Sequence, residues 1–382
     1  MATWPTGLGT GLQSPLTEFD SRRRLHYQLV QIQMQDERRS PGARFGNVYS
    51  VRFNAVSMIS RLAPRRIFRG VKRRVFQQKD KGTARDIPNI PLPFEASTYR
   101  VANPDIANLS DSELWVHYQT HGKQEGRRCH QLPDRQAFVK IIPPEMYMLE
   151  IGPYARPLVT GPRVKYVDVF STEELRQRAD GVVMEPGLVP EITWVSQPSD
   201  LSCVNEHFGA VLSSHVIEHQ PNLVHHLNQV DHILRKGGRY FVLAPDHRYC
   251  FDHFMTPSLI TEVVAAHIEK RKTHTVKSLL ESRLLMTHNH PAEHWNGNHG
   301  NSNDNPEYPN SNRIERLQIG IDTYREQGFV KDEHAWYFTP DTFESIINDL
   351  NELGLINLEI ERIYPTMRNS VEFWAILRNK SN

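Results

Sequence analysis

Cysteine is scarce in this chain: Cys129, Cys203 and Cys250 stand far apart and form no CxxC pair. An odd, scattered set of thiols builds neither a disulfide framework nor a thiolate zinc site, and fits reduced thiols in a reducing compartment. No apolar run reaches the roughly 18 residues needed to cross a bilayer. The opening stretch, MATWPTGLGTGLQSPLTEFD, lacks a basic segment followed by an apolar one. These absences predict a chain that is neither exported nor membrane-spanning, and therefore cytoplasmic. A surplus of one charge is missing as well, with 45 Lys plus Arg against 44 Asp plus Glu. That balance argues against a nucleic-acid partner for the chain as a whole. No GxGxxG follows a strand-like run, which disfavours a nicotinamide dehydrogenase.

What is present suits a globular protein of about two domains: 382 residues, 38% hydrophobic, with 25 prolines for loops and linkers. Residues 1–93 form an N-terminal region with few sustained apolar patterns, expected to be partly disordered. Within it, residues 61–81 carry nine basic residues and one acid. Ile67, Phe68, Val71 and Val75 recur there at helical spacing opposite Arg65, Arg69, Lys72 and Arg73, a basic amphipathic helix. Such a helix suits peripheral docking at the inner face of an anionic membrane; an ordinary solvated helix gives the same pattern. IPNIPLPF, from Ile87 to Phe94, reads as an extended linker. Residues 94–143 read as a small helical module, in which Ser110 and Glu113 form a capping box, Leu114, Trp115 and Tyr118 an apolar stripe, and Gly122 a stop.

From Tyr147 short apolar runs alternate with helical segments, the pattern of a parallel sheet with crossover helices. The predicted strands are Tyr147–Ile151, Val164–Val169, Ile192–Ser196, Gly209–Ser214 and Arg239–Ala244, followed by helix PDTFESIINDLNELG and the strands NLEIERIY and VEFWAILRN. The expected fold class is α/β, a Rossmann-like doubly wound sheet of five parallel strands plus a terminal antiparallel pair, spanning residues 144–382. Residues 247–333 are too long for a strand-to-helix connection and are expected to be a largely helical lid or substrate region.

In such sheets ligands lie outside the carboxyl ends of the strands. After the first strand, Glu150-Ile-Gly152-Pro153 offers a glycine for close backbone approach and a following helix start that attracts negative charge. After the second, Asp168 can accept both hydroxyls of a ribose diol. After the third, Asp200 and Leu201 can accept from an adenine amino group and cover its ring. After the fourth come Ser213, Ser214, His215 and the rest of SSHVIEH.

LEIGP, YVDVFS, SDL, FGAVLSSHVIEH and ILRKGGRYFVLAPD, in this order and spacing, resemble class I S-adenosylmethionine-dependent methyltransferases of the type 11 group. The resemblance covers about residues 147–246 and resumes over 339–378. It implies that Glu150, Gly152, Pro153, Asp168, Asp200, Leu201, Ser213 and Ser214 line S-adenosylmethionine. APDHRYCFDHF and HAWYFTPDTF are similar to a bacterial subgroup associated with surface-polysaccharide synthesis, and the helical module resembles segments beside glycan-processing domains. A sugar or other small-molecule hydroxyl is then the implied acceptor. The group's glycine loop reads acidic-x-Gly-x-Gly-x-Gly, whereas Tyr154 and Arg156 take the second and third glycine positions here. A non-catalytic binding or scaffold protein on the same fold is the alternative that this departure motivates. The fourth strand ends in SSHV, unlike the Asn/Asp-Pro-Pro-aromatic motif of nucleic-acid amino-group methyltransferases.

Methyl transfer to a hydroxyl needs alignment and a proton acceptor. His215, Asp246, His247 and His253 follow the fourth and fifth strands and have side chains that accept protons near neutral pH. His215 and His219 share a helical face but lack a third ligand nearby in sequence, which favours packing over a metal. The loop THNHPAEHWNGNHGNSNDN carries His288, His290, His294 and His299, weak metal candidates matching no zinc motif, with Trp295 placed to stack on a sugar ring.

Overall fold

A computed structural model describes residues 86–180, 189–301 and 305–380. The basic segment 61–81 and most of the N-terminal region lie outside the described residues. The strands are β1 (Met148–Ile151), β2 (Val164–Asp168), β3 (Trp194–Val195), β4 (Phe208–Ser214), β5 (Leu234–Pro245), β6 (Leu358–Tyr364) and β7 (Glu372–Asn379). Among the described residues they form one seven-stranded sheet in the order β3-β2-β1-β4-β5-β7-β6. β1 to β5 run parallel. β7 inserts antiparallel between β5 and β6, which puts β6 at the edge. The chain reverses its winding direction between β1 and β4, and in sheets of this kind ligands lie at that switch point, beyond the carboxyl ends of both strands.

β4 is buried along its whole length because both sheet faces are covered. Its side chains alternate, and those of β5 do the same. Val211, Val242 and Ala244 face a core with Leu223, Leu227, Phe343 and Ile347. Leu212, Phe241 and Leu243 face a second core with Phe138, Val139, Ile142 and Trp374. Helix α1 (Ala96–Ala102), α2 (Asp111–His117) and α3 (Arg135–Val139) precede the sheet. α2 keeps the expected capping box. α3 begins where the Asp134 side chain accepts from Ala137 N, and it supplies Phe138, whose ring stacks on Trp374 at 5.3 Å. The C-terminal part of the helical module thus covers one sheet face.

The Pro-rich stretch, expected to be an extended linker, forms neither helix nor strand, turns at a left-handed Asn89 (φ +58°) and is seated on the protein. Ile87 joins the second core, and the Tyr364 hydroxyl donates to Pro91 O at 2.7 Å. The helical run that starts at Asp111 ends at Gly122, where a Cβ would also collide with the Tyr99 hydroxyl.

Helix α4 (Thr172–Asp180) follows β2, and α5 (Leu223–Ile233) connects β4 to β5 with Asn222 as its cap. The insertion holds α6 (Ile260–Ile268), α7 (Val276–Leu285), α8 (Pro291–Trp295) and α9 (Arg313–Gln327). α10 (Pro340–Glu352) follows it. Thr339 caps α10, Pro340 sits where no N–H is needed, and Phe343, Ile346, Ile347 and Leu350 recur on one buried face. Burying each of those four contributes about 1.5–3 kcal/mol. The two ends of the insertion meet: Asp246 bridges Phe338, and His247 N donates to Phe338 O at 2.9 Å.

Candidate active site

The carboxyl ends of β1, β2, β4 and β5 bring the strand-end residues to one sheet edge. Beyond β1 the chain turns sharply, with Gly152 at φ +64° and Tyr154 at φ +51°. A Cβ on Gly152 would lie 2.9 Å from Val216 Cγ2, so the turn after β1 and the segment after β4 abut across the switch point. A left-handed tyrosine costs on the order of 1 kcal/mol or more, and Asp168 compensates. Its carboxylate accepts from Tyr154 N at 3.2 Å and from Phe170 N at 3.1 Å. Glu150 turns to the later part of the same loop, where its carboxylate accepts from Leu158 N at 2.9 Å and Val159 N at 3.2 Å. The two acids expected from sequence therefore brace the loop between β1 and β2 at its start and in its later part. Pro153, Tyr154 and Ala155 are buried inside it.

Asp200 sits at a turn and accepts from Ser202 N at 2.8 Å and from Gln229 Nε2 at 3.0 Å. The hydrogen bonds from Ser202 hold its carboxyl below the ordinary range. Leu201 is buried beside it. Ser213 turns away from the switch point, beneath α5: its hydroxyl is buried and pairs with Tyr240 Oη at 2.6 Å, which in turn meets His226 Nε2 at 3.0 Å. Ser214 accepts from Arg135 Nη2 at 2.5 Å.

Of the four proton acceptors expected from sequence, His215 stands at the switch point itself, with φ +53°. Its Nε2 pairs with Glu372 Oε2 at 2.9 Å, and its Nδ1 faces Glu218 Oε1 at 3.7 Å. Burial would raise the Glu372 carboxyl, but Arg135 and the hydrogen bonds from His215 and Trp374 outweigh it and hold it at about 2. Asp246 is committed elsewhere: Arg248 donates to both of its oxygens at 2.8 and 2.6 Å, and Thr366 Oγ1 donates at 2.7 Å. His247 is buried, and burial lowers its pKa despite Asp246 and Asp252 nearby. His253 is drawn away into the histidine loop, with Nδ1 on Arg248 O at 2.7 Å.

His294 and His299 of that loop meet His253, and ring nitrogens of the three lie within 4.8 Å of one another. His288 Nε2 bonds Asn298 O, while His290 belongs to no such group. Trp295 stacks on Tyr249 at 3.7 Å and donates to Ser370 O, so one ring face is taken by the protein.

Arg135, Glu372 and Glu218, which meet Ser214 and His215 at this edge, are residues that sequence reasoning missed. Arg135 and Glu372 come from segments far from SSHVIEH in the chain, and no periodicity links them to it. Glu218 alone had a visible signal, an acid between two histidines.

No family model matches the sequence, and no curated protein matches it. Solved structures do. Methyltransferase CcbJ of Streptomyces caelestis is 12% identical, aligning 68% of this chain with 95% of its own at a TM-score of 0.34. An S-adenosylmethionine-dependent methyltransferase of Methanosarcina mazei is 14% identical, over 63% of this chain and 95% of its own, at 0.32. One from Mesorhizobium loti is 12% identical, over 64% and 96%, at 0.32. Likeness at this level decides nothing by itself, and the α/β class rests on the strand order above. No described helix is long and apolar enough to cross a membrane.

Proposed function

We infer that this chain is an S-adenosylmethionine-dependent methyltransferase that methylates a hydroxyl of a sugar or other small molecule in surface-glycan assembly. The observation that carries the reading is the switch-point edge. A left-handed Gly152 follows β1 and a buried carboxylate, Asp168, closes β2, in a sheet ordered β3-β2-β1-β4-β5-β7-β6. Each oxygen of Asp168 accepts a backbone N–H, and a carboxylate is the acceptor type that suits a ribose hydroxyl. The residues after the strand ends, Gly152, Asp168, Asp200 and Leu201, fit the cofactor by donor and acceptor type. S-adenosylmethionine supplies an activated methyl group when bound.

His215 is the proton acceptor in this reading, oriented by Glu372. With cofactor and acceptor bound, the His215 imidazole would take the proton that the acceptor hydroxyl gives up. Glu372 stabilises the imidazolium as carboxylates do in other histidine dyads.

Calorimetric titration with S-adenosylmethionine and S-adenosylhomocysteine, with NAD as control, tests the reading. Micromolar binding of the first two, lost in Asp168→Ala, is the expected result, and His215→Gln should bind both yet turn over nothing. The buried Tyr154 in place of a glycine favours the scaffold alternative. Absence of binding by the folded wild-type chain would establish that alternative.

A further inference from the structure

Glu218 is a buried acid whose two carboxylate oxygens both lack a hydrogen-bond partner among the described residues. Its side chain is 0% exposed. Leaving an ionised carboxylate so placed is costly, because nothing replaces its lost water. The nearest imidazole nitrogens, His215 Nδ1 and His219 Nε2, stand at 3.7 and 4.0 Å, beyond hydrogen-bonding reach. Glu218, His219 and His334 nonetheless each offer a ligand atom, and the three atoms lie within 4.8 Å of one another.

The imidazoles are prepared for the same task. His219 Nδ1 meets Asp332 Oδ1 at 2.9 Å, and His334 Nδ1 meets Asp252 Oδ2 at 2.5 Å. A carboxylate on Nδ1 fixes that nitrogen as the protonated one and leaves Nε2 as the basic one. This is the arrangement by which metal-bound histidines are oriented and made better donors. The two rings lie edge to face at 4.5 Å. Their segments are tied together through the backbone, since Glu218 O accepts from Ala335 N at 2.7 Å and from Trp336 N at 3.2 Å. Trp336 Nε1 also donates to Gln220 O at 2.6 Å. The three side chains are thus held in place by the protein before any ion arrives. His219, 24% exposed, is the side from which an ion can enter.

We propose that Glu218, His219 and His334 bind a divalent first-row metal ion, with Zn2+ the best match to two imidazoles and one carboxylate. That donor set with an open fourth position is the catalytic zinc pattern, and harder ions such as Mg2+ prefer all-oxygen surroundings. The 4.0 Å between His219 Nε2 and Glu218 Oε1 approaches the roughly 3.4 Å between neighbouring ligands of a tetrahedral ion with bonds near 2.1 Å. The site follows β4 directly and lies next to His215, on the acceptor side of the switch point. Resting on the methyl-transfer reading, the open position would take the acceptor hydroxyl, and the ion would lower its pKa.

The test is titration of the full chain, stripped with a chelator, with Zn2+ by calorimetry and with Co2+ by visible absorption. Cofactor and acceptor are left out, so the outcome is independent of the proposed reaction. The expected result is a tightly bound ion with cobalt bands of a four- or five-coordinate nitrogen–oxygen site. Glu218→Gln and His334→Gln should each weaken it at least a hundredfold, and Asp252→Asn about ten- to hundredfold. Circular dichroism identifies variants that remain folded, and Asp252→Asn leaves all three ligands in place. Unchanged affinity in folded Glu218→Gln would overturn the proposal. So would affinity that survives there but is lost in His294→Gln, which would move the ion to the His253–His294–His299 cluster.

Discussion

His226 gives the most direct test of how the core is built. It lies on the buried face of α5, and its Nε2 meets Tyr240 Oη at 3.0 Å, within the chain that ends at Ser213. Burial, assisted by neighbouring His225, lowers its pKa from 6.5 to about 3. In the unfolded chain the imidazole titrates near 6.5. Below that pH the unfolded state binds a proton that the native state does not, so stability falls as pH falls from 6.5 towards 3. At pH 5 the loss is about 2 kcal/mol for this one residue, a large part of a typical 5–15 kcal/mol total. Urea unfolding of wild type and His226→Gln, at pH 7.5 and pH 5 with a chelator present, isolates the effect. The substitution removes a hydrogen bond and shifts stability by an offset common to both pH values. The difference between wild type and variant should therefore shrink by about 2 kcal/mol between them. A difference that stays constant would refute the reasoning, because it would mean that His226 is protonated in the native state or reached by water.

Other expectations follow from the same packing. Gly152→Ala places a Cβ 2.9 Å from Val216 Cγ2 on a left-handed residue. It should destabilise the fold by about 1–3 kcal/mol in urea melts and weaken any ligand at the switch point more than Asp200→Asn does. Phe138→Ala empties the site between Phe241, Tyr364 and Trp374 and should cost about 3–5 kcal/mol. A single cooperative urea transition in that variant, lowered as a whole, would show that α3 belongs to the sheet's core. A separate early transition would show the reverse.

Much of the fold was legible because the sheet is covered on both faces. Runs such as GAVLSS and RYFVLA are nearly all apolar, and their limits fall within a residue or two of β4 and of the C-terminal end of β5. β5 starts earlier than expected because Leu234 pairs with Phe208, a partnership that the LRKGG turn conceals. The helix PDTFESIINDLNELG was readable from its Thr-Pro start and apolar stripe. α9 was not anticipated, although Asn312 and Glu315 form a capping box, because its face is largely polar and its packing against α7 includes the buried Arg316. Arg316 is satisfied by Arg283 O and Ser311 O, which no local pattern reveals.

The site was less legible, for a physical reason. The residues after each strand could be named, but the direction of a side chain depends on register. Ser213 and Ser214 are neighbours, yet one faces Tyr240 and the other Arg135. The expectation that His215 and His219 lacked a third partner overlooked Glu218, which lies between them in sequence and faces both rings. Glu372 and His334 arrive from beyond the insertion, and only the closed sheet brings them to SSHVIEH.

The meeting of Asp246 and His247 with Phe338 makes the insertion a loop closed at its base. Between those points the segment still reaches back to the end of β4, through Asp332 on His219 and through Val263 and Ala266 in the core beside Val216 and Ile217. A change of length or sequence in the insertion is therefore tolerated only where it leaves those contacts in place, so this segment and the strand ends are bound to vary together.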